Sequence, residues 1–163
     1  MRPEDDDERL DPVDPDVDLH VATQRAELAL HPALVLGAIA VGGVLGSEAR
    51  YALTVAFPDG TGVPWTTLGI NVAGCLVMGV LMVAVRRAGA RLPLLRPFAG
   101  VGVLGGFTTF SAYAVGIQRL LAGGAPAPAL AYLAVTPALA VLGVLAGSRI
   151  GQALVPEPLD VSR

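Results

Sequence analysis

The chain has 163 residues, of which 53% are hydrophobic and only 15% charged, where a soluble domain carries about 25% charged residues. Its mean hydropathy of +0.63 excludes a largely disordered chain despite 20 Gly and 13 Pro, and a lone cysteine, Cys75, excludes an intrachain disulfide or a cysteine-based zinc site. The formal net charge of −3 conceals a division: nine of the 14 acidic residues fall in residues 1–18, whereas residues 31–155 hold only Glu48 and Asp59 against seven arginines.

Residues 1–31 therefore read as a disordered acidic extension, residues 32–151 as a membrane domain and residues 152–163 as a short tail. The start of the chain has neither the positive region nor the apolar run of a signal peptide, so insertion is expected to rest on the first span. No basic run exceeds Arg86-Arg87, and the acidic extension would repel phosphate, so a nucleic-acid partner is not expected.

A membrane-crossing helix needs about 20 mostly apolar residues. The first candidate covers residues 33–57, with Glu48 and Arg50 as its only charges, and Phe57-Pro58-Asp59-Gly60 then marks a turn. The second, residues 65–85, is uncharged, opens on Trp65 as an interfacial anchor and closes at Arg86-Arg87. A short arginine-bearing loop leads to a third, residues 98–118, and a Gly-Gly-Ala-Pro-Ala-Pro stretch to a fourth, residues 129–148, with Pro137 inside it. The expected fold is an all-α integral membrane protein of four transmembrane helices with both termini on one side. Glycines four apart (Gly42 and Gly46, Gly102 and Gly106, Gly143, Gly147 and Gly151) let helix backbones approach closely in lipid.

Polar groups within such spans are costly and are functional candidates. Glu48 and Arg50, two apart, lie on different helix faces; Glu48 reads as a proton-coupling carboxylate or a solvated one, and Arg50 as a functional group or one snorkelling to the interface. Asn71, one turn beyond Thr66 and Thr67, offers amide donors to a dehydrated anion without a fixed charge, or an interhelical hydrogen bond. The third span is expected to be broken mid-membrane at Gly105–Thr109, within Gly105-Gly106-Phe107-Thr108-Thr109-Phe110-Ser111, because paired glycines followed by β-branched residues make a poor helix. Such a break exposes carbonyls to a cation and a half-helix N-terminus to an anion. Tyr132 and Thr136, one turn apart, add hydroxyls to one face of the fourth span.

These stretches carry a resemblance. Gly42-Gly43-Val44-Leu45-Gly46-Ser47-Glu48-Ala49-Arg50-Tyr51, Thr67-Leu68-Gly69-Ile70-Asn71-Val72-Ala73-Gly74 and Gly102-Val103-Leu104-Gly105-Gly106-Phe107-Thr108-Thr109-Phe110-Ser111-Ala112-Tyr113 resemble, in order, the signatures of the first three helices of the Fluc-type (CrcB-like) fluoride channels. The resemblance covers residues 33–151. It implies a passive fluoride exporter in the cell membrane, assembled as an antiparallel dimer with two pores. It implies that Asn71, Phe110 and Tyr113 face the ion, that Arg50 lines an aqueous vestibule, and that the backbone carbonyls of Gly105 and Thr108 hold a structural sodium ion between the subunits. Ser111, Tyr132 and Thr136 are expected to add pore-facing hydroxyls that compensate a dehydrating fluoride. No residue is suited to catalysis, and no enzyme is expected. Tyr113, Ala112, Ala140 and Cys75 depart from the family pattern.

The arginines carry a further expectation. The side holding both termini and the second loop has Arg2, Arg9, Arg25, Arg86, Arg87, Arg91, Arg96, Arg149 and Arg163; the other has Arg50 and Arg119. Positive charge stays inside, which places both termini in the cytoplasm and favours one orientation. An antiparallel heterodimer with a paralogue of opposite bias is the expected assembly, a homodimer the alternative. Two other readings stand beside the channel: a proton-coupled small multidrug exporter using Glu48, and a non-conducting partner subunit.

Overall fold

The computed structural model describes residues 30–154; residues 1–29 of the acidic extension and residues 155–163 lie outside the described residues. Four stretches are long and apolar enough to cross a membrane: Pro32–Ala56, Trp65–Arg91, Arg96–Ala122 and Pro126–Leu154. No strand occurs among the described residues. The protein is therefore the expected all-α, multi-pass membrane protein, and its fourth helix continues to Leu154, past residue 151.

Helix α1 (Pro32–Ala56) starts with Pro32, which needs no amide partner in the first turn, while His31 Nδ1 accepts from the Ala33 amide at 3.3 Å. Helix α2 (Trp65–Ala88) follows the Pro58–Pro64 turn region and gives way to a 3₁₀ turn (Gly89–Arg91) at Gly89, whose φ of 55° favours glycine. The third span is composite: α3 (Arg96–Leu104) winds with π-type turns into α4 (Gly105–Phe107), two extended residues follow, and α5 (Phe110–Ala122) completes the crossing. Helix α6 (Pro126–Leu154) carries Pro137 in its interior.

The helices associate as α1 against α3 and α4, α2 against α6, and α5 against α6. Glycine makes this possible. A Cβ at Gly42 would lie 3.0 Å from Gly102 Cα, and one at Gly147 would lie 3.2 Å from Gly79 Cα. These are backbone-to-backbone contacts, the kind that drives association where lipid removes the hydrophobic incentive. At one end of the bundle Arg87 Nη1 donates to the Gln152 carbonyl at 3.2 Å, so the arginine-bearing end of α2 and the end of α6 lie together.

The break in the third span falls within the expected window, with a different cause. Thr108 (φ −80°, ψ 160°) and Thr109 (φ −150°, ψ 120°) are extended, whereas Gly105 keeps helical angles of −64° and −37°. Gly106 is a packing residue, where a Cβ would stand 2.5 Å from the Gly43 carbonyl oxygen of α1, whereas a Cβ at Gly105 would meet nothing within 4 Å. The helix ends at Thr108, whose amide still serves the Leu104 carbonyl at 3.0 Å, because Asn71 captures the backbone of Thr109.

Candidate functional site

Asn71 of α2 reaches across to the break with both ends of its carboxamide. Its Oδ1 accepts from the Thr109 amide at 2.8 Å and its Nδ2 donates to the Thr109 carbonyl at 3.0 Å. The side chain thus pairs with an extended residue as a neighbouring peptide group would, satisfying backbone that a break at membrane depth leaves open. Thr109 in turn caps α5, its Oγ1 accepting from the Ala112 amide at 3.1 Å and lying 3.1 Å from Ser111 Oγ. Room for the adjoining Thr108 side chain comes from Gly74 of α2, where a Cβ would collide with the Thr108 methyl.

These bonds redirect backbone donors. In an unbroken helix the amide of each residue serves the carbonyl four residues earlier. The Thr109 amide, which would serve Gly105, goes to Asn71, and the Ala112 amide, which would serve Thr108, goes to Thr109 Oγ1. Gly105 and Thr108 carry the two carbonyls expected to hold sodium. Gly106, between them, finds another partner: Arg50 Nε donates to its carbonyl at 3.0 Å. Arg50 is therefore tied to the break rather than snorkelling.

Two cavities flank this junction, and Thr109 lines both. The smaller, of about 250 Å³, is walled by Asn71, Thr108, Thr109, Phe110, Tyr113 and Thr136. Phe110 is 80% exposed and meets Tyr113 at a centroid distance of 5.5 Å and 54° between ring planes. Tyr132 stands behind Tyr113, 5.4 Å away and only 2% exposed. The buried hydroxyls of Tyr132 and Thr136 have no hydrogen-bond partner among the described residues. Four of the six expected anion-facing residues (Asn71, Phe110, Tyr113, Thr136) thus share one wall. Ser111 instead faces the larger cavity, and Tyr132 supports the wall from behind. Two departures from the family pattern, Cys75 and Ala140, also touch the small cavity; Ala112 touches the other.

The larger cavity, of about 750 Å³, brings together Arg50, Asp59, Thr67, Ser111 and Arg119. It contains both arginines of the sparsely charged side, so their sequence separation hides a shared site. Asp59 lines this cavity, whereas the sequence showed it only as part of a turn. Its Oδ1 accepts from the Thr66 amide at 2.8 Å, and its Oδ2 accepts from the Thr67 amide at 3.3 Å and from Thr67 Oγ1 at 2.8 Å. Thr66 and Thr67 thus bind the loop instead of extending the Asn71 cluster; Thr66 Oγ1 donates to the Phe57 carbonyl at 2.5 Å. The available signal was an acidic residue a few positions before a helix start. Glu48 is exposed and lines neither cavity.

A four-span helical membrane protein with one span broken beside a small cavity that Asn71 and Thr109 line belongs to the class that passes ions or small solutes at membrane depth. Residues 37–148 match the family model described as CrcB-like protein, Camphor Resistance (CrcB); the chain belongs to this family. It is 52% identical over 120 residues to a protein of Nocardia farcinica named fluoride-specific ion channel FluC 2, covering 73% of this chain and 85% of that relative. A Streptomyces avermitilis protein of the same name is 50% identical, over 71% of this chain and 74% of its own length. The fluoride-specific ion channel FluC of Paracoccus denitrificans is 42% identical over 71% of this chain and 93% of its own.

Proposed function

We propose that this chain is a subunit of a fluoride-selective channel that lets fluoride leave the cytoplasm passively. The observation that carries the reading is the broken third span, whose Thr109 pairs with Asn71, beside a cavity that both residues line. Fluoride holds its hydration shell strongly, so a pore for it must supply replacement donors. The Asn71 amide has two N–H bonds, one committed to Thr109, leaving one for an anion. Thr136 adds a buried unpaired hydroxyl, and Phe110 presents the electropositive edge of a ring. Several weak contacts suit conduction, since an ion held tightly does not leave. Arg50 and Arg119 draw anions into the larger cavity, where Ser111 lies at the entrance to the break. Nothing in this pathway makes or breaks a covalent bond, and the relatives named as ion channels belong to a non-enzymatic class.

Sodium fits the break. The carbonyls of Gly105 and Thr108 lose their helical donors, Gly105 is exposed on the protomer, and two protomers together would supply four oxygens. A cation there neutralises carbonyl dipoles at a subunit contact and holds the broken helices in register. Its removal by exhaustive exchange against a bulky organic cation is expected to loosen the dimer and stop flux; unchanged dimer and flux would refute the assignment.

The protomers pair antiparallel, with this chain's termini cytoplasmic. Its charge bias favours a paralogue of opposite orientation as partner, and Cys75 and Ala140 on the small-cavity wall, standing where the family pattern has a serine and a hydroxyl-bearing residue, favour a partner that supplies those hydroxyls. The test is fluoride efflux from liposomes, with chloride as control, using this chain alone and with a co-purifying paralogue. Selective fluoride efflux in either preparation supports the channel; none in both refutes it. Equal labelling from both faces at engineered loop cysteines, with efflux from this chain alone, refutes the heterodimer.

A further inference from the structure

Pro137 lies inside α6, where it has no amide hydrogen for the carbonyl four residues earlier. That carbonyl belongs to Leu133. It accepts instead from the hydroxyl of Tyr113 on α5, at 2.8 Å. Tyr113 is 8% exposed, so the bond is protected from water, and both Tyr113 and Pro137 wall the small cavity. The Tyr113 ring is held between Tyr132 and the exposed Phe110.

We propose that the Tyr113 hydroxyl replaces the amide hydrogen that Pro137 lacks, and thereby clamps the aromatic pair Tyr113–Phe110 in its pose on the small-cavity wall. Tyr113 is a positioning residue in this role: its oxygen points to α6, and its ring orients Phe110. A phenylalanine at position 113 would keep the ring and leave the Leu133 carbonyl without a donor in a nonaqueous setting, a costly arrangement. The tyrosine is thus matched to a proline 24 residues further along. The flux part of this inference rests on the channel reading; the hydrogen-bond part stands without it.

The experiment is a double-mutant cycle on the full chain, purified with any co-purifying partner. Tyr113→Phe removes the donor, Pro137→Ala restores the helical amide, and the double variant does both. Thermal unfolding in detergent reads the bond; fluoride efflux and the fluoride-to-chloride flux ratio read the pose. Tyr113→Phe is expected to lower the unfolding midpoint and to reduce fluoride efflux about five-fold, the equivalent of one net hydrogen bond, with a fall in the flux ratio. In the Pro137→Ala background the same substitution is expected to leave the unfolding midpoint in place and to change efflux and flux ratio less than about two-fold. Recovery of folded protein only when Pro137→Ala is added supports the same conclusion. Equal effects of Tyr113→Phe in both backgrounds overturn the bond, as does a double variant that fails to fold where Pro137→Ala folds. Coupled unfolding with unaltered efflux and flux ratio overturns the positioning role. Absence of fluoride efflux from the unmutated protein counts against the channel reading, and the unfolding cycle still decides the bond.

Discussion

Asn71→Asp tests the heart of the pathway, because it alters two functions of one side chain by known amounts. The aspartate keeps an oxygen for the Thr109 amide, 2.8 Å away in the native pairing. The group facing the Thr109 carbonyl, now a donor at 3.0 Å, becomes a second oxygen. Leaving that carbonyl unpaired costs about 1–3 kcal/mol. A fixed negative charge about 4 Å from a passing anion adds repulsion of about 4 kcal/mol at an effective dielectric constant of 20, or roughly a thousand-fold in rate. The second effect dominates and defines the expected outcome: a folded protein, modestly less stable, with fluoride efflux reduced by about three orders of magnitude. Efflux from liposomes followed with a fluoride electrode, beside size-exclusion chromatography of the same preparation, measures both. A folded variant whose efflux stays within a factor of about three of the unmutated protein would remove Asn71 from the pathway.

Phe110→Ile keeps apolar bulk at an 80% exposed position and removes the ring edge; a contact of about 1 kcal/mol predicts roughly five-fold slower efflux, and unchanged efflux would mean the ring does not face the ion. Asp59→Ala removes three hydrogen bonds at the start of α2 and is expected to cost about 2 kcal/mol of stability, read as a lower midpoint of thermal unfolding in detergent. Gly46→Ala drives a methyl into the Val103 carbonyl of α3; an overpacking cost of about 1–3 kcal/mol predicts a lower unfolding midpoint and poorer recovery of assembled protein. An unshifted midpoint in either variant would contradict the corresponding contact.

The membrane architecture was legible in the sequence because crossing a bilayer is a local requirement. Each span must by itself be long enough and apolar enough, and must satisfy its backbone internally, so hydropathy and the arginine-bearing loop are sufficient to count four helices. Glycines at four-residue spacing announced close packing for the same reason: they define a helix surface before any partner is known. The location of the break within Gly105–Thr109, in contrast, was decided by groups remote in sequence. Asn71 takes the Thr109 backbone across 38 residues and Arg50 takes the Gly106 carbonyl across 56, and neither pairing leaves a trace in spacing or composition. Asn71 was visible as an unusual polar residue, but whether it met an anion, another helix or both depended on what stood opposite. Ser111 and Phe110 are neighbours in the chain, yet the turn into α5 sends them to different cavities. Asp59 looked like turn punctuation until the fold returned it to the amides of Thr66 and Thr67. Tyr113 looked like a departure until the fold set its hydroxyl against the carbonyl that Pro137 leaves open. Apolar length is a property of one segment and can be read there; a hydrogen bond in lipid belongs to two, and only the tertiary structure brings the second into reach.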